Sequence, residues 1–347
     1  MLPRSAGLPP IAHAVIIAAA ACIVIAFMRW AASIVAPILL ALFITMIAMP
    51  PMLWMRRKGL PKLAAVLVIL LILLDVGSLI ALTTTSALEA FKDGLPRYQE
   101  RVMLLTDELG RWLESLGIDK SREALHDLIS PASVSRAVYT ALTNASGVVV
   151  NGLLVLLIVA FMLAEAPSAL ERLRATLPGS GAVETEFQKL TKDINRYMLI
   201  KVIMSVVTAI CIFIWLWIVN LDYAVALAIA AFLLNFIPVV GNILMTVPAV
   251  LVALVEGDMA LVLTVVLGYA AVNFVLGNII EPRLTGRELG ISSVLVLLSL
   301  LFWGWVLGPI GLFLSVPLTM TLKAALEIFR ATRSANADPG TFTEPGS

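Results

Sequence analysis

"NFIPVVGN", residues 235–242, sits inside a run of chain that otherwise reads as membrane. It gathers Asn, Pro, Gly and Asn where a helix serving only as an anchor would carry none of them. Proline removes a backbone donor and glycine loosens the coil. Backbone that leaves the helix in hydrocarbon strands N–H and C=O groups, each costing several kcal/mol if unpaired. Such a break is tolerated where it is buried in protein or lines a watery cavity. Interrupted hydrophobic segments at corresponding places in a chain therefore point to a transport site.

A second stretch echoes the first. "IPVVGNILMTVP" spans residues 237–248 and "GPIGLFLSVP" spans 308–317. Each has a Pro, then a Gly, a short apolar run, a hydroxyl residue (Thr246 or Ser315), a Val and another Pro. Polar side chains gather around them. Asn235 and Asn242 flank the first break, Asn273 and Asn278 lie in the span between the two regions, and Glu281, Arg283, Arg287 and Glu288 form a charged turn after it. An Asn amide both donates and accepts, which suits a neutral polar solute. It serves equally as glue between helices.

Composition agrees with a membrane protein. Of 347 residues 61% are hydrophobic and only 14% charged, with a mean hydropathy of +1.01. A soluble domain is about half apolar and about a quarter charged. A net charge of +1 gives no reason to expect a nucleic-acid partner. Cys22 and Cys211 are far apart, and His13 and His126 are the only histidines, so no metal site or disulfide framework is expected. There is no GxxxxGK[ST] loop and no GxSxG elbow. ATP-driven pumping by this chain alone, enzymatic hydrolysis and a bound cofactor are therefore not expected.

About 20 apolar residues cross the hydrocarbon as a helix. By that measure spans fall at residues 11–28, 31–49, 63–88, 147–164, 198–219 and 259–280, the first being a retained helix rather than a cleaved signal. Regions 223–255 and 291–322 are longer than one span needs, and Pro and Gly interrupt both. Basic clusters at Arg56, Arg57, Lys58 and Lys62, at Arg172 to Lys201, and at Lys323 to Arg333 fall on one side if both termini are cytoplasmic. The parity then requires each interrupted region to be a hairpin that enters and leaves on one face.

The expected organisation is all-α and polytopic. Residues 1–88 carry three transmembrane helices, 89–145 an extracytoplasmic helical segment and 146–165 a fourth transmembrane helix. Residues 166–197 form a cytoplasmic amphipathic segment, 198–327 a transport region with two re-entrant-like hairpins, and 328–347 a disordered tail. In the outer segment Leu95, Tyr98, Val102, Leu105, Leu109, Trp112 and Leu116 make a heptad-like stripe. It packs either on its own chain or on another subunit. Residues 184–201 are expected to lie along the cytoplasmic interface. Asp75, in "LILLDVGSL", is an ionisable group near mid-span and is read as an ion-coupling candidate for a proton or sodium.

At these residues the sequence resembles the autoinducer-2 exporter family of bacterial membrane proteins. The resemblance covers nearly the whole chain. Its most specific parts are "NFIPVVGN" and "NIIEPRLTGRELGISSVLVLLSLLFWGWVLGPIGLFLSVPLTMTLKAALE", residues 278–327. One departure is Ser293, where many family members have Pro. The resemblance implies a bacterial inner-membrane protein of about eight spans, a homo-oligomer (a pentamer), exporting autoinducer-2 or a similar small polar molecule. Some relatives are described as sodium- or lithium-dependent proton antiporters. The residues carried over are Asn235, Pro238, Gly241 and Asn242, then Asn278, Glu281, Pro282, Arg283, Gly286, Gly308, Pro309, Gly311 and Pro317. Pro282 is expected to stop its helix. Three functions follow: a secondary exporter, a cation/proton antiporter using Asp75 or an interfacial acid, and an oligomeric scaffold or lipid-handling protein.

Overall fold

The computed structural model describes residues 10–115, 151–165, 181–257, 259–285 and 292–337. Among them every regular element is helical. The chain opens with α1 (Pro10–Trp30) and α2 (Ala32–Arg57). At Ala31 the backbone stays close to helical (φ −86, ψ 8) and its N–H still bonds to the Phe27 carbonyl, so the chain bends there instead of reversing between the two expected spans. Then come α3 (Lys62–Ser115), α4 (Asn151–Glu165) and α5 (Gly181–Ile218). The transport region holds α6 (Ala224–Leu234), α7 (Val240–Glu256), α8 (Met259–Asn273), a π-helical turn (Phe274–Ile280) and α9 (Glu281–Thr285). It ends with α10 (Ser293–Leu307) and α11 (Pro309–Ala337).

Five of these stretches are long and apolar enough to cross a bilayer: Ala32–Arg57, Lys62–Thr83, Lys189–Ile218, Met259–Leu284 and Pro309–Glu327. The architecture is that of an all-α polytopic membrane protein. Large apolar side chains such as Ile23, Leu71, Phe161 and Trp217 point outward, as lipid contact requires.

Two helices run further than the sequence reading allowed. The third span and the start of the outer segment are one helix of 54 residues, about 80 Å long at ~1.5 Å per residue. It passes through Pro96 without ending, because a lone proline costs one hydrogen bond and kinks a helix that neighbours of high propensity can carry on. The later part of the outer segment, with Leu116 and His126, lies outside the described residues. Likewise α5 has no Pro or Gly after Gly181, so residues 184–201 continue the axis of the span instead of lying flat beside it.

The first interrupted region is a hairpin of two short helices, whereas the second pairs the 15-residue α10 with the 29-residue α11, which is long enough to span by itself. α6 has 11 residues and α7 has 17, about 16 and 25 Å, each shorter than the ~30 Å hydrocarbon. The backbone N–H of Asp222, just before α6, donates to Glu256 Oε2 at the end of α7 at 3.1 Å. The hairpin therefore enters and leaves on one face. α10 and α11 also fold back on one another, tied by Trp303 Nε1 donating to Thr319 Oγ1 at 3.0 Å.

Three apolar clusters hold the bundle. One joins the far half of α5 to α6, α7 and α8 through Ile212, Leu216, Met245 and Tyr269. A second joins α2 and the near half of α5 to α10 and α11 through Phe43, Met198, Trp303 and Leu314. A third joins α2, α3 and α4 through Met52, Ile69 and Leu163. The Arg29 guanidinium lies 4.2 Å over the Trp305 ring and pins the end of α1 to α10. Helix α5 belongs to two clusters, and the apolar stretch between them carries three polar residues, Lys201, Ser205 and Thr208.

Candidate functional site: a polar seam on α5

Between those clusters α5 presents Tyr197, Lys201, Ser205 and Thr208, spaced 4, 4 and 3 residues apart, which places them on one helical face. Lys201, Ser205 and Thr208 are buried. Polar groups at this depth need partners, because no water is at hand to hydrogen-bond them. The partners come from the first break and from the π-helical turn.

Asn235, the residue that ends α6, is buried and donates from Nδ2 to Ser205 Oγ at 3.0 Å. After it the chain turns sharply. Val239 adopts φ 62 and ψ −60, and the Val240 N–H reaches back to the Pro238 carbonyl at 2.6 Å. This is a γ-turn of the positive-φ kind, rare and strained even for glycine and more so for a β-branched residue. Strain of this sort persists only where the surroundings impose it, and it clusters at functional segments. Gly241 lies immediately beyond. A Cβ there would overlap the Leu234 carbonyl, so only glycine lets α7 start against the end of α6.

One turn along α5, Lys201 Nζ meets Glu281 Oε1 at 2.8 Å. The carboxylate is partly buried, with 23% of its side chain exposed against 7% for the lysine. Tyr197 lies within electrostatic reach of the same carboxylate. Glu281 follows the π-helical turn, its N–H bonding to the Leu276 carbonyl in the wider register. Isolated π-turns of this kind are frequent at functional sites. The same turn explains why Pro282 does not end its helix, contrary to expectation: α9 continues through it. A widened preceding turn removes the clash between a proline ring and the carbonyl four residues back, and at the start of α9 the missing N–H costs little. Asn242 closes the arrangement, since a Cβ built on Gly277 would stand 3.7 Å from its Nδ2.

The remaining residues fall elsewhere. Asn273 is half-buried at the end of α8, while Asn278, Pro282 and Arg283 are exposed. Gly286, Arg287 and Glu288 lie outside the described residues. At the second break Gly308 has φ +69, and Gly311 abuts the Trp303 carbonyl as Gly241 abuts that of Leu234. Pro309 is exposed and Pro317 is buried inside α11. Ser293 is the first residue of α10, after the capping Ser292, a position that accepts proline without distortion. The two breaks meet where Phe236 stacks on Phe313, ring centroids 5.9 Å apart.

Asp75 is exposed on α3. The adjoining Val76 helps line an open, apolar groove of about 480 Å³ between α3, α5 and α6. That groove is walled by residues such as Leu79, Val206, Phe213 and Phe232, and none of the predicted site residues lines it. Sequence reasoning missed Lys201 and Ser205. The signal was present as polar residues recurring at helical spacing inside an apolar run.

The model of the AI-2E family transporters matches residues 14–331. A Haemophilus influenzae protein whose name gives it a provisional transport role is 38% identical over 318 residues, covering 89% of this chain and 90% of that protein. The AI-2 transport protein TqsA of Escherichia coli is 34% identical over 305 residues, covering 88% of this chain and 89% of its own. With a match across most of its length and helices suited to multiple membrane crossings, the chain belongs to the AI-2E family of transporters.

Proposed function

We propose that this protein is a secondary exporter of a small, neutral, hydroxyl-rich solute of the autoinducer-2 kind, acting in the bacterial inner membrane with both termini cytoplasmic. The observation that carries the reading is the buried Asn235–Ser205 hydrogen bond at a strained backbone break. The seam is closed in this structure, with Asn235 and Gly241 both buried. Release of the γ-turn at Val239 would let α6 and α7 shift against α5. The Asn235 amide and Ser205 hydroxyl would then exchange their mutual bond for bonds to solute hydroxyls, so polar groups are never left bare in hydrocarbon. The name of the Escherichia coli relative supports the substrate class. A homo-oligomer, a pentamer by resemblance, is the assembly we propose.

The test is counterflow of labelled autoinducer-2 in liposomes. Asn235→Ala, correctly assembled, is expected to abolish it, and wild-type flux in that variant contradicts the site. A second reading, cation/proton antiport, is favoured by the buried Lys201–Glu281 pair. Proton flux driven by a sodium gradient, measured alongside, distinguishes the two.

A further inference from the structure

The face of α5 that carries Tyr197, Lys201, Ser205 and Thr208 continues past the seam. Ile212 and Trp215 follow at spacings of 4 and 3, which keeps them on the same side of the helix and puts Trp215 about 15 Å beyond Ser205. Helix α8 and its π-helical turn run against this face in the opposite sense. Lys201 meets Glu281 at one end, and Trp215 meets Gly268 towards the other. A Cβ on Gly268 would overlap the indole Nε1, so glycine is what admits the ring there. Tyr269, the next residue, is fully buried in the cluster that joins the far half of α5 to the α6–α7 hairpin and α8, and Trp215 packs against that cluster. Among the described residues neither the Trp215 Nε1 nor the Tyr269 hydroxyl has a hydrogen-bond partner, and both atoms are buried. A donor in that position has lost its hydration without a bond to replace it. Phenylalanine in place of Tyr269 would pack the same ring without that cost. Two such donors beside one another in the bundle point to an acceptor that reaches them in another state of the hairpin.

We propose that Trp215 and Tyr269 form a second solute station, through which a neutral, hydroxyl-bearing molecule passes between Ser205 and the neck of the α6–α7 hairpin. The inference rests on the exporter reading above and extends its site. An indole N–H only donates, while a phenol donates and accepts, so the pair suits the ring and hydroxyl oxygens of a solute. Ile212, Leu216 and Met245 wall the station with apolar side chains, which suits a molecule without charge. In the closed structure the contacts that bury the two donors include those of Met245 and Ala249 on α7. The shift of α6 and α7 that parts Asn235 from Ser205 would loosen these contacts too. The solute would then exchange the bonds of Asn235 and Ser205 for bonds from Trp215 and Tyr269. It would leave at the neck, where Asp222 and Glu256 are exposed. Passing from one polar station to the next keeps its oxygens hydrogen-bonded across a depth at which bare polar groups are costly.

The experiment measures counterflow of labelled autoinducer-2 over a range of concentrations, with the full chain in liposomes and the melting temperature in detergent as the check on packing. Tyr269→Phe and Trp215→Phe each remove one donor and keep an aromatic ring. Each is expected to raise the half-saturating concentration about fivefold, the effect of one lost hydrogen bond to the solute. The melting temperature of Tyr269→Phe is expected to stay level or rise, since a bare hydroxyl has gone. That variant keeps the test decisive if the smaller ring of Trp215→Phe does not assemble. Wild-type half-saturation in either assembled variant overturns the station while leaving the exporter reading standing. A wild type that shows no counterflow at all removes both.

Discussion

At the first break the chain leaves the helix from Asn235 to Val239, whereas at the second Gly308 alone makes the turn. Both use the same backbone device: a glycine shortly after the turn seats one helix against a carbonyl of the other. What surrounds the device differs. The first break meets Ser205 and the π-helical turn and contains a valine at φ 62. At the second, Pro309 is exposed while Trp303, Val306, Leu307 and Leu314 of the flanking helices join an apolar cluster, and the turn falls on a glycine, for which a positive φ is no strain. One break is thus strained and hydrogen-bonded to α5, the other relaxed, with its buried polar side chains Ser315 and Thr319 bonded inside its own hairpin.

This contrast can be broken in order of effect. Gly241→Leu and Gly311→Leu each force a side chain into a carbonyl, and overpacking of that kind costs about 3 kcal/mol or more. Both variants are expected to lose thermal stability and monodispersity in detergent to a similar degree, since the device is shared. Asn235→Leu should part the two regions. It is expected to abolish solute counterflow while lowering stability by only about 1 kcal/mol, the cost of a hydrogen bond removed and a hydroxyl left bare. Trp303→Phe removes the Trp303–Thr319 bond of the second hairpin. Interhelical bonds in membranes average about 0.6 kcal/mol, so a small fall in melting temperature with unchanged counterflow is expected. Asn278→Ala, at an exposed position, should change neither measurement, and a loss of flux there would extend the site beyond the seam.

Much of the fold was legible because lipid imposes a simple rule on composition and length. The broken hairpin of α6 and α7 and the turn at Gly308 follow from apolar runs and their interruptions, whereas the mere bend at Ala31 and the full span length of α11 do not. Helix continuity was not legible. A change from apolar to polar residues near Leu88 and near Met198 looks like a boundary, yet α3 and α5 pass straight through both. The site was only half legible. Asn235 stood out as a polar residue beside a break, but Ser205 lies 30 residues away, and no local pattern pairs them. Lys201 was counted with the cytoplasmic basic residues, since charge-counting near span ends cannot tell a lysine facing solvent from one folded inward onto Glu281. The π-register at Phe274–Ile280 has no sequence signature, so Pro282 was read as a stop.

The most direct test of the central claim, that water and solute reach the first break and not the second, is thiol accessibility in the membrane. In a background lacking Cys22 and Cys211, Ser205→Cys and Thr319→Cys are exposed to a membrane-impermeant thiol reagent, with and without autoinducer-2. The account predicts that the Ser205 variant reacts and that solute slows the reaction, while the Thr319 variant stays inert. An inert Ser205 variant, or equal reactivity at both positions, would contradict it.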